Sequence, residues 1–191
     1  MIRKSLIQLL VLATALVLAA CDKAPEPAAP AAGEPSVDAA AELNQLYHEF
    51  DEELLRLNPI AATFRGDHRF NDTFGPYDFL SDEYGEAMYD LHTRYLARLH
   101  EYDPESLAGQ DRLNYEIFQF DRQNAIERED QGYNDYEALT PVSQFFSVAT
   151  ILPMLGSGSV GQPFETPQHY DDWIKRSSFF VENVDLSISK M

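Results

Sequence analysis

The sequence is poor in cysteine and in basic residues, and each shortage excludes a class of protein. Cys21 is the only cysteine among 191 residues, so the chain can form neither an internal disulfide bond nor a thiolate metal cluster. There are 14 Lys and Arg residues against 32 Asp and Glu, which gives a formal net charge of -18. Nucleic-acid binding needs the opposite sign, because contacts to phosphate supply its affinity. We therefore expect no nucleic-acid partner and interpret the acidic residues as a solvated exterior.

The sequence also lacks a complete metal-binding motif. His48-Glu49 begins like the H-E-x-x-H of zinc peptidases, but Glu52 occupies the position of the second histidine. Helical spacing predicts that His48 and Glu52 face solvent as a pair one turn apart. The remaining histidines lie on separate segments: His68, His92, His100 and His169. We expect no catalytic residue, no bound metal and no cofactor in these residues.

One of these histidines, His68, lies in the charged segment Gly66-Asp67-His68-Arg69 between two phenylalanines. This placement predicts that the charged residues are partly buried. Two roles remain open for His68: membership of a structural hydrogen-bonded cluster, or a place in the lining of a pocket.

The N-terminus has the layout of a bacterial secretory signal. A cationic start is followed by an apolar run from Leu6 to Ala20 that is short for a membrane span. Leu18-Ala19-Ala20-Cys21 resembles the lipobox of bacterial lipoproteins. The resemblance implies that residues 1–20 are a cleaved signal peptide and that acylated Cys21 anchors the chain to a lipid bilayer of the cell envelope, facing the periplasm. The alternatives are an ordinary signal with an incidental cysteine or an uncleaved anchor, and inner versus outer membrane stays open.

Residues 22–40 are dominated by Ala, Pro and Glu, a composition typical of an extended tether. Together with Cys21 they form a predicted tether over residues 21–40. The folded part, residues 41–191, has the apolar spacing of helices and no alternating strand pattern. We therefore predict an all-α, irregular multi-helix bundle. Asn58-Pro59 should end the first long helix and open a short one, while Ser81 and Thr166 are expected N-caps.

The spacing also predicts which side of each helix is buried. For a helix over 110–129 the predicted inner side is Leu113, Ile117, Phe120 and Asn124. For the last helix the predicted buried side is Tyr170, Trp173, Ile174, Val181, Val184 and Ile188. For the apolar segment 142–152 the pattern leaves helix and strand open and favours a helix.

Gly156, Gly158 and Gly161 form a G-x-G-x-x-G, which is the spacing of a dinucleotide-binding turn. Such a turn must follow a strand and open directly into a helix. Pro153 precedes the glycines, and several residues separate Gly161 from the next predicted helix. We therefore expect a connecting loop and no nucleotide.

Three ordered segments resemble the bacterial family called domain of unknown function 885. They are Asn58 to Thr63 with Gly66 to Asp72, then Asp111 to Glu116, then Gly158 with Gln162-Pro163-Phe164, Tyr170 to Trp173 and Arg176. Family members resemble helical zinc metallopeptidases whose His-Glu motif, ending in Pro-Gly-His-His, lies in the C-terminal half. No position here matches that motif, so no catalytic or metal residue can be assigned by resemblance.

Two interpretations follow from the resemblance. In the first, the chain is the incomplete N-terminal part of a longer metallopeptidase-like lipoprotein, with zinc and a peptide substrate belonging to the full-length protein. In the second, it is a non-enzymatic helical lipoprotein that acts as a binding or structural module. The apolar stripe of the last helix runs to Met191 without a stop signal, so we expect a truncated chain with uncovered apolar surface.

Overall fold

The computed structural model describes residues 37–133, 140–143, 145 and 147–191. The predicted signal peptide, Cys21 and the tether up to residue 36 lie outside the described residues. The first helix begins at Val37, four residues before the predicted start of the folded part at residue 41.

The fold is all-α, as the sequence predicts, and no strand occurs among the described residues. Short 3-10 turns cover His68–Phe70 and Pro104–Ser106. The α-helices are α1 (Val37–Leu57), α2 (Pro59–Phe64), α3 (Asp82–Leu99), α4 (Gly109–Asp130), α5 (Val148–Gly156) and α6 (Pro167–Lys190). Within the described part of the chain, no helix is both long enough and apolar enough to cross a membrane.

Side-chain caps fix the predicted helix starts. Asn58 accepts a hydrogen bond from the backbone of Ala61, and Pro59 occupies the first turn of α2. Ser81 caps α3, and Thr166 caps α6 ahead of Pro167. Each cap satisfies an amide that the helix itself leaves unpaired, so polar residue types at these positions determine where the chain turns helical.

The larger core lies where α1, α3 and α4 meet. Leu43, Leu46 and Phe50 of α1 pack against Leu91 and its neighbours on α3. The buried members of this cluster are Leu43, Leu46, Phe50, Leu91, Tyr95, Leu99, Leu107 and Tyr115.

A second, smaller core joins the α2 region to α5 and α6. Its buried members are Ile60, Phe74, Val148, Ile151 and Leu155. Partly buried aromatic residues of α6 pack against it, namely Trp173, Phe179 and Phe180. The expectation of a helix in the 142–152 segment is confirmed from Val148, where α5 begins, whereas the described residues between 142 and 147 are not helical.

The predicted inner side of α4 is wrong. Leu113, Ile117 and Phe120 are 47%, 51% and 63% exposed, whereas Tyr115 is 3% exposed and Phe118 packs against the core. Positions 115 and 118 share a face at helical spacing just as 113, 117 and 120 do. Periodicity alone therefore could not choose between two apolar faces on one helix.

The predicted buried face of α6 is also largely wrong. Tyr170, Ile174, Val181 and Ile188 are 52%, 66%, 63% and 61% exposed. Trp173 is partly buried as predicted, and the side that faces the rest of the protein also carries Arg176, Phe180, Asn183 and Ser187, of which Arg176 is fully buried. Arg176 and Asn183 form hydrogen bonds on this side, and Ser187 is buried there. The polarity of these residues therefore did not identify the exposed side of the helix.

Candidate functional site

Two of the three segments that carry the family resemblance meet at the side chain of Arg176, which is 0% exposed. Its Nε donates to the carbonyl oxygen of Thr73 at 3.0 Å, and Nη2 donates to that of Phe70 at 2.6 Å. Nη1 donates to Oε1 of Gln162 at 2.8 Å. One guanidinium thus joins α6 to the loop after α2 and to the loop after α5. We call these contacts the Arg176 junction.

The charge of Arg176 is balanced by oxygen dipoles, since its three hydrogen-bond acceptors are uncharged carbonyl and amide groups. Burial lowers the pKa of Arg176 to about 10, while the nearby carboxylates of Asp72 and Asp172 oppose that shift. The side chain therefore remains cationic at neutral pH. The adjacent Lys175 is exposed and forms an ion pair with Asp72 on the surface.

Close packing of Gly161 brings the glycine-rich loop to the Arg176 junction. Gly161 has a φ of +66°, and a Cβ there would lie 2.7 Å from the carbonyl oxygen of Thr63. Gly156 ends α5 against the ring of Trp173. The G-x-G-x-x-G segment therefore follows a helix and leads into a further loop, so the prediction of a connecting loop is confirmed.

His68 borders the same region. Its Nδ1 lies 3.1 Å from Nδ2 of Asn71, whose Oδ1 accepts a hydrogen bond of 2.8 Å from the hydroxyl of Thr63. Asn71 is 3% exposed, but His68 itself is exposed, so the expectation of partial burial is wrong for the histidine. The contact with Asn71 places His68 at the edge of a hydrogen-bonded structural cluster.

Glu52 forms an ion pair with Arg69. Both of its oxygens accept hydrogen bonds from the guanidinium of Arg69, at 2.9 Å and 2.7 Å, and Asp67 binds the same guanidinium. Arg69 lowers the pKa of Glu52 and lowers the pKa of Asp67 to about 2. His48 is exposed as predicted, whereas Glu52 is half-buried under Arg69.

A second group of buried polar side chains lies between α1, α3 and α4. The guanidinium of Arg122 stacks 3.9 Å from the ring centre of Phe50, and the ring of His92 lies 5.7 Å from the same ring. Arg122 Nε, His92 Nδ1 and the Tyr47 hydroxyl are buried with no hydrogen-bond partner among the described residues. Burial lowers the pKa of His92 to about 4 and raises the pKa of Tyr47 to about 12. Periodicity gave no signal for this group.

Neither the Arg176 junction nor the described group around Arg122 contains a metal site. In the described ranges, no three His, Cys, Asp or Glu side chains are placed to hold a metal ion. The groups of the Arg176 junction bind one another, so their chemistry is that of a clamp between loops and a helix. Cys21, the predicted lipidation site, is outside the described residues.

The fold and the junction define an all-helical domain in which three separated stretches of chain are joined at a buried arginine. A family model described as "Bacterial protein of unknown function (DUF885)" matches residues 59–191. The match covers more than half of the chain, and the chain belongs to this family. No curated protein and no solved structure matches the chain.

Proposed function

We propose that this chain is the N-terminal scaffold portion of a membrane-anchored, metallopeptidase-like envelope lipoprotein. The observation that carries the proposal is the exposure of apolar faces on two long helices whose opposite sides are already packed. Such helices are suited to receiving further helices, which is what a scaffold in a larger helical protein must do.

The exposed face of α6 has the spacing of a helix-packing seam. Ile174, Val181 and Ile188 are seven residues apart and more than half exposed. The second position of the same heptad holds Tyr170, which is 52% exposed, then Ser177 and the partly buried Val184. The three branched residues at the first position can contact side chains of a facing helix.

The exposed face of α4 offers a second surface of the same kind. Leu113, Ile117 and Phe120 follow one another at four and three residues, and all are about half exposed or more. An apolar face of this size on a helix whose other side is packed is typical of an interaction surface. It supports a scaffold role independently of α6.

Membrane attachment rests on the likeness of Leu18 to Cys21 to a lipobox and on the Ala/Pro-rich composition that follows. In the proposal, acylated Cys21 holds the helical domain near the bilayer, and the tether sets its distance from the surface.

The first prediction concerns this anchor. Replacing Cys21→Ser should abolish incorporation of labelled palmitate in a bacterial host, because the thiol that carries the acyl chain is removed. The unsubstituted chain serves as the labelled reference. Persistent label in the variant would refute the lipobox interpretation.

The metallopeptidase-like part of the proposal rests on the family resemblance. The described residues do not fit a zinc site, since Glu52 stands where the second histidine of the motif belongs and is bound by Arg69. We therefore assign this chain no catalytic step. Its contribution is structural, because it presents apolar helix faces on a framework whose loops are clamped at Arg176.

The experiment that tests the proposal compares two chains. The first is the 191-residue chain, and the second is the product of the whole reading frame, read past codon 191. The proposal predicts a downstream His-Glu motif and protection of Ile174 and Val181 from solvent in the longer product. A stop codon directly after codon 191 would contradict the proposal and favour the alternative, a non-enzymatic helical lipoprotein that acts as a binding module.

A further inference from the structure

A cleft outside the Arg176 junction lies between the 74–79 segment and helices α5 and α6. Its cavity volume is about 70 Å³, several times the space that one water molecule needs. Four aromatic residues and two carboxylates contribute to its walls: Phe74, Tyr77, Phe79, Phe179, Asp78 and Glu182.

The carboxylate of Asp78 is held in place by neutral donors. Nδ2 of Asn183 lies 3.0 Å and 2.9 Å from its two oxygens, and the backbone amide of Leu80 donates to Oδ1 at 2.8 Å. Asn183 is 6% exposed, so this contact fixes the 74–79 segment to α6. Asp78 lines the cleft and forms no ion pair with a cation among the described residues.

Glu182 carries the second negative charge. It precedes Asn183 on α6, is exposed, and forms no ion pair within the described part of the chain. Most arginines of the described helices are already paired with other carboxylates, as Arg94 is with Glu53 and Arg98 with Glu49. The cleft thus combines two uncompensated carboxylates with aromatic walls.

The walls are held rigidly on the side of the 74–79 segment. Arg176 binds the carbonyl oxygen of Thr73, and its guanidinium lies 6.0 Å from the ring centre of Phe74 on the core side. Gly75 packs so closely that a Cβ there would lie 2.9 Å from the carbonyl oxygen of Leu57. A preformed cleft loses less conformational entropy when a ligand binds.

These features select the charge and the type of a ligand. The faces of aromatic rings carry partial negative charge and attract cations, as the carboxylates do, so an anion is disfavoured. A bare Mg²⁺ or Ca²⁺ needs about six or more oxygen ligands, which aromatic walls do not supply. An organic ammonium group suits the cleft, because its methyl or methylene groups contact the rings while its charge is balanced by Asp78 and Glu182.

We propose that this cleft binds an organic ammonium group, carried either by a small quaternary amine or by a lysine side chain of a peptide. The proposal goes beyond the scaffold role and does not depend on it, because every residue that it uses lies in the described part of this chain.

The test measures binding of three probes to the purified chain by calorimetry or by NMR shifts. Choline supplies a quaternary ammonium, 3,3-dimethylbutan-1-ol is its uncharged isostere, and Nα-acetyl-lysine amide represents a peptide side chain. We expect saturable binding of at least one cationic probe and about tenfold weaker binding of the isostere. Tighter binding of choline identifies a small quaternary ammonium compound as the ligand. Tighter binding of the lysine amide identifies a peptide lysine as the ligand.

Two variants with a matched control complete the test. Glu182→Gln, at an exposed position, should weaken binding of the cation about fivefold, and Tyr77→Leu should weaken it through loss of the ring. Asp171→Asn makes the same charge change about 16 Å along α6 and should leave binding unchanged. Equal affinity for the isostere, absence of saturable binding by both cationic probes, or an equal effect of Asp171→Asn would overturn the proposal.

Discussion

At the scale of single residues, Arg176 joins α6 to two loops that are distant from it in the chain. It is fully buried, and its three acceptors come from the loop after α2 and the loop after α5. A buried cation is stable only when hydrogen-bond acceptors surround it, and here two backbone carbonyls and the side-chain oxygen of Gln162 accept from Arg176. The loops on either side are therefore held by one side chain.

The second prediction concerns that side chain. Arg176→Met should lower the free energy of unfolding by about 3 kcal/mol, because three buried acceptors lose their donor. The measurement is urea denaturation followed by the fluorescence of Trp173, the only tryptophan. Lys175→Met is the matched control, since its exposed ammonium binds only Asp72, and its unfolding midpoint should stay near that of the unsubstituted chain. Similar midpoints for both variants would contradict the clamp.

The third prediction is a pH dependence that arises from His92. Burial, and then the charge of Arg122, lower the pKa of His92 from 6.5 to about 4, while Asp121 acts in the opposite direction. Between these values the unfolded chain binds the proton more readily, so the folded state loses stability as the pH falls from about 6.5 towards 4. His92→Gln should reduce the stability difference between about pH 7 and about pH 5 in urea denaturation.

The exposed His48 provides the control for that prediction. His48→Gln removes a histidine from the solvent side of α1, away from Arg122 and Phe50, and should keep the pH dependence of the unsubstituted chain. If His92→Gln and His48→Gln reduce the pH dependence of stability equally, His92 is not the origin of that dependence.

At the scale of helices and loops, the starts of helices followed from local chemistry, whereas the buried faces of α4 and α6 did not. Ser81 and Thr166 were recognisable as caps because a short polar side chain satisfies amides within its own turn. The buried side of α6 depends instead on partners distant in the chain, such as Thr73 for Arg176 and Asp78 for Asn183. Helical spacing contains no information about those partners.

The fourth prediction compares two glycines with positive φ. Gly161→Ala should destabilise the fold by about 3 kcal/mol, since its Cβ adds a clash with the carbonyl oxygen of Thr63 to the cost of a left-handed backbone. Gly66, at φ +79°, has open space within 4 Å of the position that a Cβ would take, so Gly66→Ala should carry only the backbone cost, about 1 kcal/mol. Thermal or urea unfolding measures both, and equal losses would refute the close packing of the glycine loop.

At the scale of the whole molecule, the all-α class and the family could be predicted from the sequence, because helical periodicity and ordered motifs can be recognised without knowing any contacts. The Arg176 junction could be predicted only in part. The residues that meet there, including Gln162 and Arg176, carry the resemblance, but their convergence required the fold. The cleft lined by Asp78 and Glu182 gave no sequence signal, since its walls come from segments that are far apart in the chain.

For the whole molecule the decisive feature is the packing of α6, whose side with Trp173 and Arg176 faces the protein while the side with Ile174 is exposed. Because Cys21 is the only cysteine, Cys21→Ser yields a chain in which a single new thiol reports the accessibility of one position. Ile174 is 66% exposed and Ser187 is 4% exposed, so these two positions represent the two sides of the helix.

The measurement is the rate of thiol labelling of Ile174→Cys and Ser187→Cys in the Cys21→Ser chain without denaturant. The account predicts rapid labelling at position 174 and at least about a hundredfold slower labelling at position 187, where reaction requires opening of the fold. Urea should make the two rates equal. Protection of position 174 together with rapid labelling of position 187 would contradict the account.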